Sequence, residues 1–158
     1  MKLKIEKFWD SGAKDIVKKI NDSLKRMEID PVHAYLDDLF AIIKKEKDAK
    51  IRVSLCFTLE KIAQFNPFFE EIVNFLIDLL KEEEDPHVKE FAVYILGNLV
   101  LENPSLSLIT ETLPIFVNFC KDSSEYVSAC AEDFKNRLRE VKETKLREEK
   151  VINALREE

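Results

Sequence analysis

Two histidines, three cysteines and two runs of carboxylates are the side chains of this chain best suited to chemistry. His33 and His87 each stand in the first turn after an Asp-Pro step, Asp30-Pro31 and Asp85-Pro86. A metal centre or an acid–base pair needs a second converging group beside each. Each stands close to an N-cap, in a first turn, and both read as surface residues beside a helix start. Cys56, Cys120 and Cys130 are an odd number with no CxxC spacing, which favours free thiols over disulfides or zinc. Cys130 falls on an apolar stripe and reads as packing. Cys56 reads as an exposed thiol with nothing nearby to lower its pKa. Glu82-Glu83-Glu84-Asp85 and Asp37-Asp38 offer oxygen ligands, but consecutive carboxylates at a helix end point in different directions. They read as solvated acidic turns. With no Ser/His/Asp or Cys/His arrangement, the sequence predicts no catalytic residue, no metal and no cofactor: the protein is expected not to be an enzyme.

The elements that position these groups are helices. The chain has 158 residues, 46% of them apolar, which is enough for one domain with a core. Two glycines leave little room for hairpins or a phosphate-binding loop. The class is all-α. Net charge is −6 but unevenly spread: residues 1–65 carry 14 Lys/Arg against 11 acids, residues 66–125 carry 3 against 12, and residues 126–158 carry 8 against 8. The acidic middle repels phosphate, so nucleic acid is not an expected partner except through a basic N-terminal patch of Lys14, Lys18, Lys19, Lys25 and Arg26. The longest uncharged run, Phe91 to Leu101, is too short to span a membrane. Glu6 and Asp10 interrupt any leader-like apolar segment, which predicts a cytoplasmic protein.

Read in order, Lys2 to Trp9 fits a short helix or an extended arm. A helix over Ala13 to Met27 has Ile16, Ile20, Leu24 and Met27 on one face. Asp30-Pro31 starts the next, with Asp30 as N-cap, and Val32 to Lys45 carries Leu36, Leu39, Phe40 and Ile43. Asp48 opens a helix over Ala49 to Phe65 with Ile51, Leu55, Leu59 and Ile62 inward, and Asn66-Pro67 closes the unit. Shifted by 37, the pattern returns: Val73, Leu76, Ile77 and Leu80 on Phe68 to Lys81, Asp85 for Asp48, then Val88, Ala92, Leu96 and Leu99 on Val88 to Leu101, closed by Asn103-Pro104. With a shift of 39 it returns again as Thr112, Ile115, Phe116 and Phe119, then Val127, Ala131, Lys135 and Leu138, with Phe134 alongside.

Two helices per period of 35 to 39 residues predict an α-solenoid of about three and a half repeats: 1–29 (partial), 30–66, 67–103 and 104–141. Residues 142–158 form a C-terminal extension or cap. No Gly or Pro follows residue 124, so Val127 to Leu155 reads as one helix of ~45 Å. Its thin stripe of Val141, Leu146, Val151, Ile152 and Leu155 either folds back over the last repeat or projects and allows weak self-association through residues 141–155.

These units resemble HEAT repeats, the relatives of armadillo repeats. The resemblance rests on Asp48-Ala49-Lys50-Ile51-Arg52 and Asp85-Pro86-His87-Val88-Lys89, on Leu113-Pro114-Ile115-Phe116, and on Ala92 followed by Leu96-Gly97. It covers roughly residues 13–140 and implies a right-handed superhelix of helix pairs with a ladder of Asp48, Arg52, Asp85 and Lys89 between repeats. Asp122 continues the series, but Ser128 stands where a basic residue belongs. The metal-binding, deoxyhypusine hydroxylase type of relative has paired His-Glu steps that this chain lacks, and the DNA-glycosylase type has aromatic residues in a basic groove, whereas here the one tryptophan is Trp9.

The resemblance also implies that the second helices line the concave side. Opposite their buried stripes stand Lys18, Asn21 and Lys25, then Val53, Cys56, Glu60 and Gln64, then Glu90, Val93, Gly97 and Leu101, then Ala129, Glu132, Asn136 and Glu140. Val53, Cys56, Val93, Leu101 and Ala129 together suggest an apolar strip for an amphipathic helix or extended peptide, that is, a protein-binding scaffold. The competing expectation is that curvature closes helix on helix there and buries them. A nucleic-acid-associated protein using the basic N-terminal helices is the alternative function.

Overall fold

The computed structural model describes residues 11–158, so the Lys2–Trp9 segment and Trp9 lie outside the described residues. Seven helices and no strand occur among the described residues: α1 (Ser11–Lys25), α2 (Asp30–Lys45), α3 (Ala49–Ile62), α4 (Phe68–Glu82), α5 (Pro86–Glu102), α6 (Leu106–Phe119) and α7 (Glu125–Arg156). No described helix is long and apolar enough to cross a membrane. Contacts divide the described residues into two compact units, one ending at Ala92 and one beginning at Val93, with the boundary inside α5.

In the first unit α1 packs on α2, α2 on α3, α3 on α4, and α2 also on α4. The α1 stripe differs from the expected one. Ala13, Val17 and Ile20 are buried, with Asn21 and Ser23 beside them, whereas Ile16 and Leu24 are half-buried. Met27 is 87% exposed because it is not helical: at φ 58 it turns the chain into the left-handed region. The Glu28 amide donates to the Ser23 carbonyl at 2.9 Å and the Met27 amide to Leu24 at 3.1 Å, a Schellman closure in which a side chain takes the place usually given to glycine. α2 begins one residue earlier than expected. Its N-cap is Ile29, with no side-chain cap bond, and Asp30 and Pro31 occupy the first turn, where a carboxylate suits the helix dipole. Val32, Leu36, Leu39 and Ile43 then face inward.

The 37-residue shift holds down to single hydrogen bonds. The Glu46 amide donates to Ile42 at 2.8 Å, and the Glu83 amide to Leu79 at 3.0 Å. The Asp48 amide donates to the Glu46 carboxylate at 3.0 Å, and the Asp85 amide to the Glu83 carboxylate at 3.1 Å. Asp48 Oδ1 accepts from the Lys50 amide at 2.9 Å; Asp85 Oδ1 accepts from His87 at 2.9 Å and Val88 at 3.2 Å. Each Asp thereby satisfies orphan donors at the start of the next helix. Between α2 and α4, Phe40 stacks on Phe75 (centroids 4.1 Å apart, planes 6° apart), and His33 meets the edge of Phe68 at 4.8 Å. Between α3 and α5, Phe57 meets Phe91 at 5.4 Å.

In the second unit α6 and α7 form a hairpin. Ser105 caps α6 by accepting from the Leu108 amide at 3.1 Å, and α6 runs unbroken through Pro114. Ile109, Thr112, Phe116 and Phe119 face Val127, Ala131, Phe134 and Leu138 of α7, with Thr112 satisfied by the Leu108 carbonyl at 2.7 Å. Phe134 also fills the space over Gly97: a Cβ there would overlap its ring, so glycine is required by close approach. α7 is one 32-residue helix. Residues 142–158 do not fold back as a cap; with no helix breaker residues 142–156 continue the helix, and nothing beyond Leu138 is buried.

Candidate functional site

In the first unit, charge is turned inward at Arg52 and Glu83. Arg52, one turn into α3, donates from Nε to the Ile43 carbonyl at 2.8 Å, capping an open end of α2. Its guanidinium makes a two-pronged ion pair with Glu83, with Nη1 to Oε1 at 2.9 Å and Nη2 to Oε2. The side chains are only 12% and 6% exposed. One residue thus ties the end of α2, the start of α3 and the α4–α5 turn together.

This corrects two expectations. The acid that answers Arg52 is Glu83, not Asp85, because Asp48 and Asp85 are spent as N-caps. Glu83 is accordingly no part of a solvated acidic turn, although Glu82 and Glu84 are exposed. At the third turn Asp122 takes the place of Glu83, accepting from the Ser124 amide at 2.9 Å, and Ser124 stands where Asp48 and Asp85 stand, without a side-chain cap bond. A cavity of about 310 Å³ beside Arg52 is lined by Lys44, Leu79, Glu82, Glu83 and Glu84, but its central carboxylate is already neutralised.

The second cavity of the first unit differs in kind. It is a cleft of about 360 Å³ between the first turns of α3 and α5, lined by Ala49, Lys50, Val53, Ser54, His87 and Phe91. Lys50 and His87 stand 37 residues apart, as do Ser54 and Phe91, so α3 and α5 present side chains at the same spacing to its two walls. Val53 and Phe91 are half-buried and give an apolar floor; Lys50 and His87 are exposed on the rim.

The residues expected to form an apolar strip do not stand together on the surface. In the first unit Val53 lines the cleft, Gln64 is exposed, and Glu60 and Glu90 are half-buried, but Cys56 is in the core. Burial pushes the Cys56 thiol up to about 12; Arg52 one turn away lowers it and Glu83 raises it, so the exposed-thiol expectation fails. In the second unit Val93 and Gly97 are fully buried, Leu101 is half-buried, and Ala129 and Glu132 are exposed. The physical reason is that α5 is apolar nearly all round, and such a helix is a core helix. Asn21, expected to face outward, is buried too, because the α1 face is rotated. Sequence reasoning missed Ala49, Lys50, Ser54, His87 and Phe91. The signal was present in the 37-residue shift that pairs Lys50 with His87 and Ser54 with Phe91.

Other titratable groups meet in smaller sets. His33, expected at the surface, is half-buried and its Nδ1 lies 2.8 Å from Glu71 Oε2, linking α2 to α4. Cys120 is raised, by burial first and then by a hydrogen bond with Glu132. The Lys135 ammonium, 2.7 Å from Glu132, is the first cause holding that carboxyl below its usual range, and Cys120 the second. Cys130, expected in the core, is half-buried. Among the described residues no His/Cys/Asp/Glu group has the arrangement to hold a metal ion. No family model, no curated protein and no solved structure matches the chain.

Proposed function

We propose that the chain is a short HEAT-like helical-repeat module without a catalytic centre. It binds a protein segment by taking one apolar side chain of that segment into the α3–α5 cleft. The repeat reading is supported by the recurrence of the same turn hydrogen bonds after 37 residues, and by first helix touching first helix (Phe40–Phe75) and second touching second (Phe57–Phe91).

The binding reading is carried by one observation: the cleft leaves Val53 and Phe91 partly open under a rim of Lys50 and His87. An apolar floor of this size accepts a leucine or phenylalanine side chain, and burying one contributes about 1.5–3 kcal/mol. The Lys50 ammonium on the rim favours an acidic residue beside that anchor. The test is a set of acidic peptides, each with one central Leu or Phe, titrated into 15N-labelled protein. The expected result is shift changes confined to residues 49–54 and 87–91, lost in a Val53→Asp variant whose melting temperature is unchanged, and only weakly dependent on salt. Absence of any shift in those residues overturns the reading. So does steeply salt-dependent binding of an oligonucleotide through Lys14, Lys18, Lys19 and Lys25, which would favour the nucleic-acid alternative.

A further inference from the structure

The face of α7 that packs on α6 through Val127, Ala131, Phe134 and Leu138 does not stop where α6 ends. Read on at spacings of three and four, the same face carries Val141, Lys145, Glu148, Ile152 and Leu155. Val141 and Lys145 are half-buried and the rest are exposed, Ile152 at 47% and Leu155 at 66%. A bare apolar seam with a lysine and a glutamate at its centre makes a poor surface for water and a poor seam for an apolar partner. Its symmetry names a different partner.

We propose that this face pairs with the same face of a second copy of the chain, as a short antiparallel coiled coil about a two-fold axis between Leu146 and Arg147. In that register Val141 meets Ile152 of the other copy, and Lys145 meets its Glu148. Both contacts occur twice by symmetry. Leu155 reaches the end of the α6–α7 hairpin, beside the point where Leu138 becomes buried. The flanking positions agree: Lys142 lies opposite Glu149, and Thr144 opposite Val151. The two residues that interrupt the heptad in one helix thus become its central ion pairs in two, a use of polar core positions that fixes register and orientation at a cost in affinity.

Other arrangements fail on charge. A parallel pair sets Lys145 against Lys145 and Glu148 against Glu148. Sliding the antiparallel pair by one heptad toward the C-terminus sets Lys145 against Leu155 and Glu148 against Ile152. Sliding it the other way runs into the stretch already covered by α6. Within a single chain, none of Lys142, Lys145, Glu148 and Glu149 is ion-paired among the described residues, whereas the outward-facing Glu143 and Arg147 approach each other at 3.8 Å. The pairing is independent of the α3–α5 cleft. With few apolar layers, it is weak and concentration-dependent.

The test uses the full chain and analytical ultracentrifugation. The wild type is expected to dimerise reversibly. Lys145→Glu and Glu148→Lys, each folded by circular dichroism, are expected to weaken self-association by about tenfold or more, because each puts like charges at the centre. Mixing the two variants restores opposite charges at both central layers, and a heterodimer at least as tight as the wild type is expected. A wild type that stays monomeric at the highest attainable concentration overturns the proposal. So do single variants that associate as tightly as the wild type, or a mixture that fails to form the heterodimer.

Discussion

The α4–α5 turn and the last turns of α7 are equally rich in charge and use it in opposite ways. At the turn, Glu83 answers Arg52 and the Asp85 amide, Asp85 answers His87 and Val88, and Arg52 also answers the Ile43 carbonyl. Every strong bond there ends on backbone or on a buried opposite charge. Along residues 142–156 no side chain is buried, and the apolar side chains between the charges are exposed. The difference teaches that charge density does not mark where the fold ends in this chain. What marks it is whether a fixed partner lies within reach.

The sharpest way to break this contrast is at Arg52. Removing it by Arg52→Ala leaves the Glu83 carboxylate buried and leaves the Ile43 carbonyl without its donor, so a loss of about 3–5 kcal/mol is expected in urea unfolding. A Glu83→Ala variant is expected to lose a similar amount, and the double variant less than the two losses together, since the residues act as a pair. A loss below about 1 kcal/mol in both single variants would make the turn no different from the exposed pairs on α7. At the other end, deleting residues 146–158 removes no buried side chain. Measured on dilute protein, unfolding stability is expected to change by less than about 0.5 kcal/mol. A larger loss would mean that this stretch belongs to the fold after all.

Much of the architecture was legible in the sequence. The Asx-Pro steps, the caps Asp48 and Asp85 and the stripes at three and four gave the helices to within a few residues, because these are local signals. Three things were not legible. Met27 fits an apolar stripe by spacing, and only the left-handed closure of α1 puts it in solvent. Glu83 reads as one of four acids in a row, and only the placement of Arg52 singles it out. The expected strip failed where the competing expectation of burial held. A wheel assumes one buried face, whereas α3 buries Leu55 and Cys56 side by side, and α5 buries Ala92, Val93, Ile95 and Leu96, on more than one face, with its long uncharged run as the warning. The cleft was half legible: Val53 was found, but Phe91 and the rim required knowing which turns of α3 and α5 lie side by side.

The central proposal is that equivalent helices of successive repeats lie against one another in a 37-residue register. It is tested most directly by proton–proton Overhauser contacts among selectively labelled phenylalanines. Cross-peaks are expected between the rings of Phe40 and Phe75 and between those of Phe57 and Phe91, at centroid separations of 4.1 and 5.4 Å. Absence of both, with Phe40 or Phe57 instead in contact with rings of α6 or α7, would contradict the stacking and remove the cleft built on it.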